Sequence, residues 1–337
     1  MSNKVSMQDV ADSVGVSKVT VSKVLRGKSD VSEAMSKKIM DAVTRLGYVY
    51  DNKKEKADIS KISVLTAGHF FGIGGSDCFY VKLYQCLSEE FEKLNIDVML
   101  SIVDQQSEME ITIPEKLKNR DVDGIIVMGQ LSREYLRSLM ALKIPLVFLD
   151  FYYDDFNVTS INTDNFFNTY ELTNKLIQLG HTKIGFVGTL DATSSIQDRF
   201  LGYYKSLIEH HIPLNQEWIL NDRESDGTYL NIELPKALPT AFVCNCDEVA
   251  MLFINNLKAH GYKVPDDISV TGFDDTNHSM LSNPKITTVQ VNLEEMAHLA
   301  TKAMIRDIGS NKHKNRILIK GKIIFRESTT RFPDPSE

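Results

Sequence analysis

Four carboxylates stand where apolar runs end: Asp150 after VFL, Asp247 after FVCNC, and Asp274 with Asp275 after VTGF. A carboxylate accepts hydrogen bonds from hydroxyl groups, and several of them facing one space with aromatic neighbours suit a polyhydroxylated ligand. A second set lies in DVADSVGVSKVTVSKVLRG, Asp9 to Gly27, where Lys18, Val19, Ser22, Lys23 and Arg26 fall on one side of a helix. Cations, a hydroxyl and an apolar group on one face suit a DNA major groove lined by phosphates, acceptors and thymine methyls. The plain alternatives are a solvated charged face for the helix and a helix N-cap for each aspartate.

The same inventory gives little support to catalysis. Asp274 and Asp275 are adjacent, so in an extended segment their side chains diverge instead of forming an acid and base pair. GIGGSD, Gly72 to Asp77, places Asp77 where a dinucleotide fingerprint needs its third glycine, and there is no Gly-x-x-x-x-Gly-Lys-Ser/Thr loop. The cysteines, Cys78, Cys86, Cys244 and Cys246, form no Cys-x-x-Cys pair, and no His-Glu-x-x-His occurs. The expectation is a protein that is not an enzyme and carries no metal or cofactor.

The elements that must position these residues can be read from periodicity. Val10, Ala11 and Val14 share one helical face and Val21, Val24 and Leu25 another, with Gly15 making the turn and Ser17 placed to cap the second helix. DVSEAMSKKIMDAVTRLGY reads as a third helix, with Ser32 as N-cap, Ile39, Ala42, Val43 and Leu46 buried, and Gly47 as the stop. A polar stretch, DNKKEKADISK, follows without periodicity and reads as a linker. From Lys61 onward β-rich runs such as DGIIVMG, HTKIGFVGT and ISVTGFDD alternate with helical ones, which implies parallel sheets covered by helices on both faces. The expected fold class is an N-terminal all-α helix-turn-helix domain followed by an α/β two-lobed effector domain. The runs fall in two series, roughly 61–160 and 161–288, which suggest two lobes of similar build. Ligands of open α/β sheets bind beyond the carboxyl ends of the strands, where Asp150, Asp247 and Asp274 fall.

Charge is unevenly spread. Residues 1–60 carry eleven Lys or Arg against eight Asp or Glu, a net of +3, so the remainder of a 337-residue chain of net −7 carries −10. A basic head on an acidic body is expected if only the head meets a polyanion. With 42% hydrophobic and 25% charged residues the composition is that of a globular protein. MSNKVSMQDV lacks the apolar core of a signal peptide and no run is long enough for a bilayer, so a cytoplasmic, nucleoid-associated location is expected.

The order of helix-turn-helix, linker and two lobes, with VSMQDVADSVGVSKVTVSKVLRG, VSEAMSKKIMDAVTRLGY, DGIIVMG, LGHTKIGFVG, DRFLGYYKSL, DEVA and VPDDISVTGFDD, resembles the lac-repressor (LacI/GalR) family of bacterial transcription regulators from about Val5 to Arg331. The resemblance implies a homodimer on double-stranded operator DNA whose affinity changes when a small effector, usually a sugar, closes a periplasmic-binding-protein-like pair of lobes. It implies residues 1–48 for DNA binding, 49–60 for the hinge and 61–337 for effector binding and dimerisation, the first lobe taking about 61–160 and 290–322 and the second about 161–289 and 323–332. It puts Ser6, Met7, Ser17, Lys18, Val19, Thr20, Ser22, Lys23 and Arg26 at DNA-contacting positions, with Lys18 and Val19 as principal base readers. It puts Phe79, Tyr80, Asp150, Arg199, Asp247 and Asp274 at effector positions. Lys23 replaces a more usual Arg and loses its bidentate fork. Cys246 replaces a usual Asn, and Arg223 falls near an aromatic position, so that a sugar acid or sugar phosphate becomes an alternative to a neutral sugar. Tyr50, Asp51, Lys54, Glu55 and Ala57 occupy hinge-helix positions. Ala57 is too short to wedge a base step and Glu55 repels phosphates, so weaker hinge-driven bending is expected. Other readings are a soluble sugar-binding protein, a sugar-processing enzyme and a regulator using a protein corepressor.

Overall fold

The computed structural model describes residues 5–25, 31–48, 59–71, 79–224, 227–309 and 315–332. The chain separates into two compact units, Met1–Asp58 and Ile59–Glu337. Arg26, the hinge positions Tyr50 to Ala57, Cys78 and the Gly72 to Asp77 stretch lie outside the described residues.

In the first unit, α1 (Met7–Val14) opens on a capping box in which Ser6 and Asp9 each accept from the other's backbone N–H. It ends at Gly15, whose φ of +72° is the left-handed conformation that lets the chain turn. Next, α2 (Lys18–Leu25) is capped by Ser17, whose Oγ accepts the Thr20 N–H at 3.1 Å. Finally α3 (Glu33–Leu46) ends at Gly47, φ +65°. Ser32 stands at its N-cap position, but its side chain makes no capping bond, contrary to the sequence expectation. Met7, Val10, Ala11, Val21, Ile39 and Ala42 form the core, with Val14, Val24, Leu25, Val43 and Leu46 packed around it. Among the described residues no atom lies within 4 Å of a Cβ built on Gly15. Gly15→Ala therefore meets only the left-handed backbone cost, about 1 kcal/mol; hydrogen exchange of α1 and α2 amides should speed up roughly fivefold, without effect on the second unit.

The second unit begins with β1 (Lys61–Ala67), α4 (Phe79–Glu92), β2 (Asp97–Val103), two short helices α5 (Gln105–Met109) and α6 (Glu115–Lys118), β3 (Gly124–Met128), α7 (Arg133–Ala141), β4 (Leu146–Leu149) and β5 (Thr159–Thr163). It continues through α8 (Asn165–Gln178), β6 (Ile184–Val187), α9 (Ser194–Glu209), β7 (Ile219–Leu220), β8 (Ala241–Cys244), α10 (Asp247–Ala259), β9 (Ser269–Thr271), α11 (Asn277–Leu281) and β10 (Thr288–Gln290). The chain then forms α12 (Leu293–Gly309), β11 (Arg316–Ile319) and β12 (Lys322–Ile324).

Two parallel sheets result, ordered β11-β5-β4-β3-β1-β2 and β7-β6-β8-β9, with β10 and β12 paired antiparallel. On the larger sheet, Leu83, Leu87 and Phe91 of α4 pack with Met296 and Ala300 of α12 over one core, and Tyr135, Leu136 and Leu139 of α7 over another. Around the smaller sheet, α10 contributes Phe253, Ile254 and Leu257 to one core and α9 contributes Tyr203 and Leu207 to the other. Fully buried strands such as β3 and β4 carry no polar alternation because both faces are covered.

Two expected boundaries shift. The larger sheet takes all of β5, pairing Val147 with Thr159 and Leu149 with Ile161, so a division near 160 would cut a strand. The linker ends before residue 59, because Ile59 packs on the first core and the Ser60 N–H is held by Asp123 Oδ2 at 2.8 Å.

Candidate functional site

Two sites were anticipated, one in each unit. On α2, Lys18 is exposed and Val19 is 63% exposed beside it, an unusual position for a valine that the head does not need for packing. Ser6 and Ser17 are exposed, Thr20 is half-buried with its hydroxyl 2.8 Å from that of Ser17, and Lys23 is half-buried. Two expected members are inside. Met7 lies on the same helical face as Val10 and Ala11 and joins their core, and Ser22, next to Val21, is only 6% exposed. The outward set among the described residues is thus narrower than the periodicity suggested.

In the second unit a cavity of about 390 Å³ opens at the carboxyl ends of the strands, between the lobes. The first lobe supplies Phe79 and Tyr80 from the start of α4, His69 and Phe70 after β1, and Asp150 after β4; the second supplies Thr193, Ser195 and Arg199 around the start of α9, with Arg223, Tyr229, Asn245, Cys246, Glu248 and Asp274. Six of the seven anticipated effector residues therefore meet: Phe79, Tyr80, Asp150, Arg199, Arg223 and Asp274.

Asp247 does not. As the first residue of α10 it turns inward, fully buried, accepting from Thr288 Oγ1 at 2.6 Å and the Thr276 N–H at 2.7 Å. Its role is to hold the chain before α11, and Asn245 and Cys246 line the cavity in its place. The Cys246 thiol is pushed up to about 12, by burial first and then by Asp274, and so stays protonated.

Arg199 is fixed on three sides. Its Nε donates to Asn165 Oδ1 at 2.8 Å, Nη1 to the Asn245 carbonyl at 2.5 Å and Nη2 to Asp274 Oδ1 at 3.2 Å, while the Phe273 ring lies 3.8 Å from the guanidinium. Arg223 is paired with Asp222, whose Oδ2 accepts from its Nε at 2.9 Å and Nη2 at 2.6 Å. That aspartate also accepts from the Thr189 N–H at 2.7 Å and from Asn245 Nδ2 at 2.9 Å. Burial pushes the Asp222 carboxyl up, but Arg223 and these donors outweigh it and hold it below the usual range.

Asp150 is different. It accepts from the Tyr80 hydroxyl at 2.8 Å through Oδ2, while its buried Oδ1 has no hydrogen-bond partner among the described residues. Burial raises it to about 7 against the opposing pull of Arg199 and Tyr80, with Asp274 adding to the rise. Asp150 (φ 69°) and Asp274 (φ 101°) both adopt the left-handed region uncommon for side chains other than glycine, a strain characteristic of functional sites. A carboxyl whose folded value lies above its unfolded value weakens the fold as pH rises through that interval. Between about pH 4 and 7 Asp150 costs up to about 4 kcal/mol. The melting-temperature advantage of Asp150→Asn over the parent chain should accordingly grow between pH 5 and pH 8, as scanning calorimetry would show.

Asp222, Asn245, Asn165, Tyr229 and Glu248 escaped the sequence reading. Asp222 carried a usable signal, since it stands two residues after β7, near the strand-end position that Asp150 takes after β4. Cross-lobe bonds also emerge only in three dimensions. Gln130 Oε1 accepts the Ser194 N–H at 3.0 Å, Lys82 donates to Asn277 at 3.1 Å, and Asp198 joins Tyr152 at 3.0 Å to Arg316 at 2.8 Å.

A family model for bacterial regulatory proteins of the lacI family matches residues 6–51, and one for a periplasmic binding protein-like domain matches residues 173–329. The NTD biosynthesis operon regulator NtdR of Bacillus subtilis (strain 168) is 30% identical over 338 residues, covering 96% of this chain and 99% of its own. The probable HTH-type transcriptional repressor ExuR of the same organism is 28% identical, with 97% and 99% covered. In three dimensions the lac repressor dimer bound to operator and the anti-inducer ONPF superposes with a TM-score of 0.66 at 22% identity, covering 97% of this chain and 100% of that one. The CelR-cellobiose complex gives 0.69 at 18% identity, with 96% and 99% covered. With matches at the head and across the lobes, and a 30%-identical relative along nearly its whole length, the chain belongs to the lacI family of bacterial regulatory proteins.

Proposed function

We propose that this protein is a ligand-responsive transcription regulator that represses carbohydrate-uptake or catabolic genes, its operator affinity switched by a small sugar-like effector. The observation that carries the reading is the cavity itself, where paired arginines, strained carboxylates and aromatic rings from two lobes converge in a chain that also holds a helix-turn-helix. Sugar-linked relatives support it: the ribose operon repressor of Haemophilus influenzae is 24% identical over 96% of this chain, and a LacI family regulator from Enterococcus faecium with bound ribose has a TM-score of 0.67.

Lys18 and Val19 read base edges, and Lys23, Ser6 and Ser17 position the head on phosphates. The effector works by differential affinity for two lobe arrangements, because groups that line the cavity sit beside the cross-lobe bonds of Gln130, Lys82 and Asp198. The working unit is a homodimer. Leu252 on α10 and Met280 and Leu281 on the neighbouring α11 are exposed apolar side chains, Leu281 at 74%, that a partner subunit could cover. Two recognition helices then enter one face of DNA about one helical turn apart. No helix among the described residues is long and apolar enough to cross a membrane.

Selection of genomic duplexes by the purified chain tests this reading. It predicts near-palindromic sites, with Lys18→Ala weakening binding and Val19→Ala changing base preference at one half-site position by about 1–3 kcal/mol. Absence of any preferred duplex at low salt would remove it.

A further inference from the structure

The charge balance of the cavity identifies what its ligand carries. Each arginine that lines it already has a carboxylate, Asp274 for Arg199 at 3.2 Å and Asp222 for Arg223 at 2.6 Å. An anionic ligand would have to displace those pairs, and Asp222 is fully buried and tied to four donors. The cations are therefore committed, which opposes the sugar-acid and sugar-phosphate alternatives.

Apart from the arginines and the histidines His69 and His278, the charged side chains that line the cavity are carboxylates. Glu248 accepts from the Tyr229 hydroxyl, and Asp150, which lines the cavity, accepts only from Tyr80 among the described residues, its Oδ1 buried and unpartnered. The walls beside Asp150 are aromatic, with Phe70 and Phe79 at 4.5 and 5.2 Å from the Tyr80 ring. A carboxylate with no ion-pair partner within bonding distance among the described residues, near aromatic rings, is the chemistry that receives an ammonium group: the oxygen supplies a charge-assisted acceptor and a ring can add a cation–π contact.

We propose that the effector is an amine-bearing polyol, an amino sugar in chemical class, whose ammonium group binds Asp150 Oδ1 against the Phe70, Phe79 and Tyr80 rings. This rests on the cavity being the effector site. Burying an ion there is tolerable because the ligand's cation restores the ionised carboxylate, and Asp150, with Tyr80, Arg199 and Asp274 facing it, is near its titration point without ligand.

Matched ligand sets test the proposal by calorimetry on the full chain: glucosamine, glucose and glucuronate; galactosamine, galactose and galacturonate; and the β-1,4 diglucosamine, cellobiose and cellobiouronate. In at least one set the amine should bind about tenfold or more tightly than its neutral parent, with the acid weakest. Asp150→Asn, whose folding is verified by its melting curve, should abolish that margin, so that the amine no longer binds more tightly than its neutral parent. A neutral or acidic member binding as tightly as its amine in every set overturns the proposal and leaves the effector-cavity reading standing. So does an amine preference that survives in Asp150→Asn. Failure of all nine compounds to bind overturns it as well, whereas operator selection by the head is decided separately.

Discussion

Gly202→Ala should destabilise the second unit by about 3 kcal/mol or more, a large change for one methyl group on a helix. A Cβ there would stand 2.1 Å from the Phe166 carbonyl oxygen and 3.0 Å from the Tyr170 N–H nitrogen, both backbone atoms of α8 that no rotamer change can move. The helices α8 and α9 must separate, and the separation reaches the site. Arg199 lies one turn before Gly202 on α9 and donates to Asn165 at the start of α8, so parting the helices pulls on the guanidinium that lines the cavity. Urea denaturation followed by circular dichroism should show a lower midpoint with an unchanged slope. The neighbouring Leu201→Ala, on the solvent side of the same helix, should shift it by less than about 1 kcal/mol.

Asp222→Asn is the second large effect, about 3–5 kcal/mol, because it leaves the Arg223 charge buried without its partner. The companion change isolates the cause. Asp222→Asn with Arg223→Met should recover much of the loss, since removing both charges avoids the stranded cation. The pH dependence has a definite sign. The folded-state value of Asp222 is depressed, so its stabilisation is present above the ordinary unfolded value and disappears as pH falls through the lower folded one. The gap between parent and Asp222→Asn should therefore be widest near neutrality and close on acidification below about pH 4.

Local signals reached far into this molecule. Gly15 and Gly47 stop their helices because only a left-handed residue lets the chain leave there, and that demand is visible in composition. Asp150 and Asp274 were legible because parallel strands end at one rim, so a carboxylate after a strand has few places to be. The same logic misplaced Asp247 by one element: that residue already belongs to α10 and turns under the chain, where Gly272 leaves room for it, so Asn245 and Cys246 take the wall. Met7 was assigned to the DNA face although its spacing from Val10 and Ala11 marks it as core. The pairings that set the cavity's charge were not legible at all. Arg199 with Asn165, and Asn245 with Asp222, join residues far apart in sequence, and nothing in either segment names the other.

The central claim is that occupancy of the cavity between the lobes changes how the head holds DNA. The direct measurement is the dissociation constant for a selected operator duplex at one fixed salt concentration, with and without a ligand whose occupancy is verified by thermal shift. A coupling of about 1–3 kcal/mol predicts a shift of roughly 5- to 150-fold in operator affinity. An operator affinity that stays the same while the cavity is demonstrably filled would contradict the account.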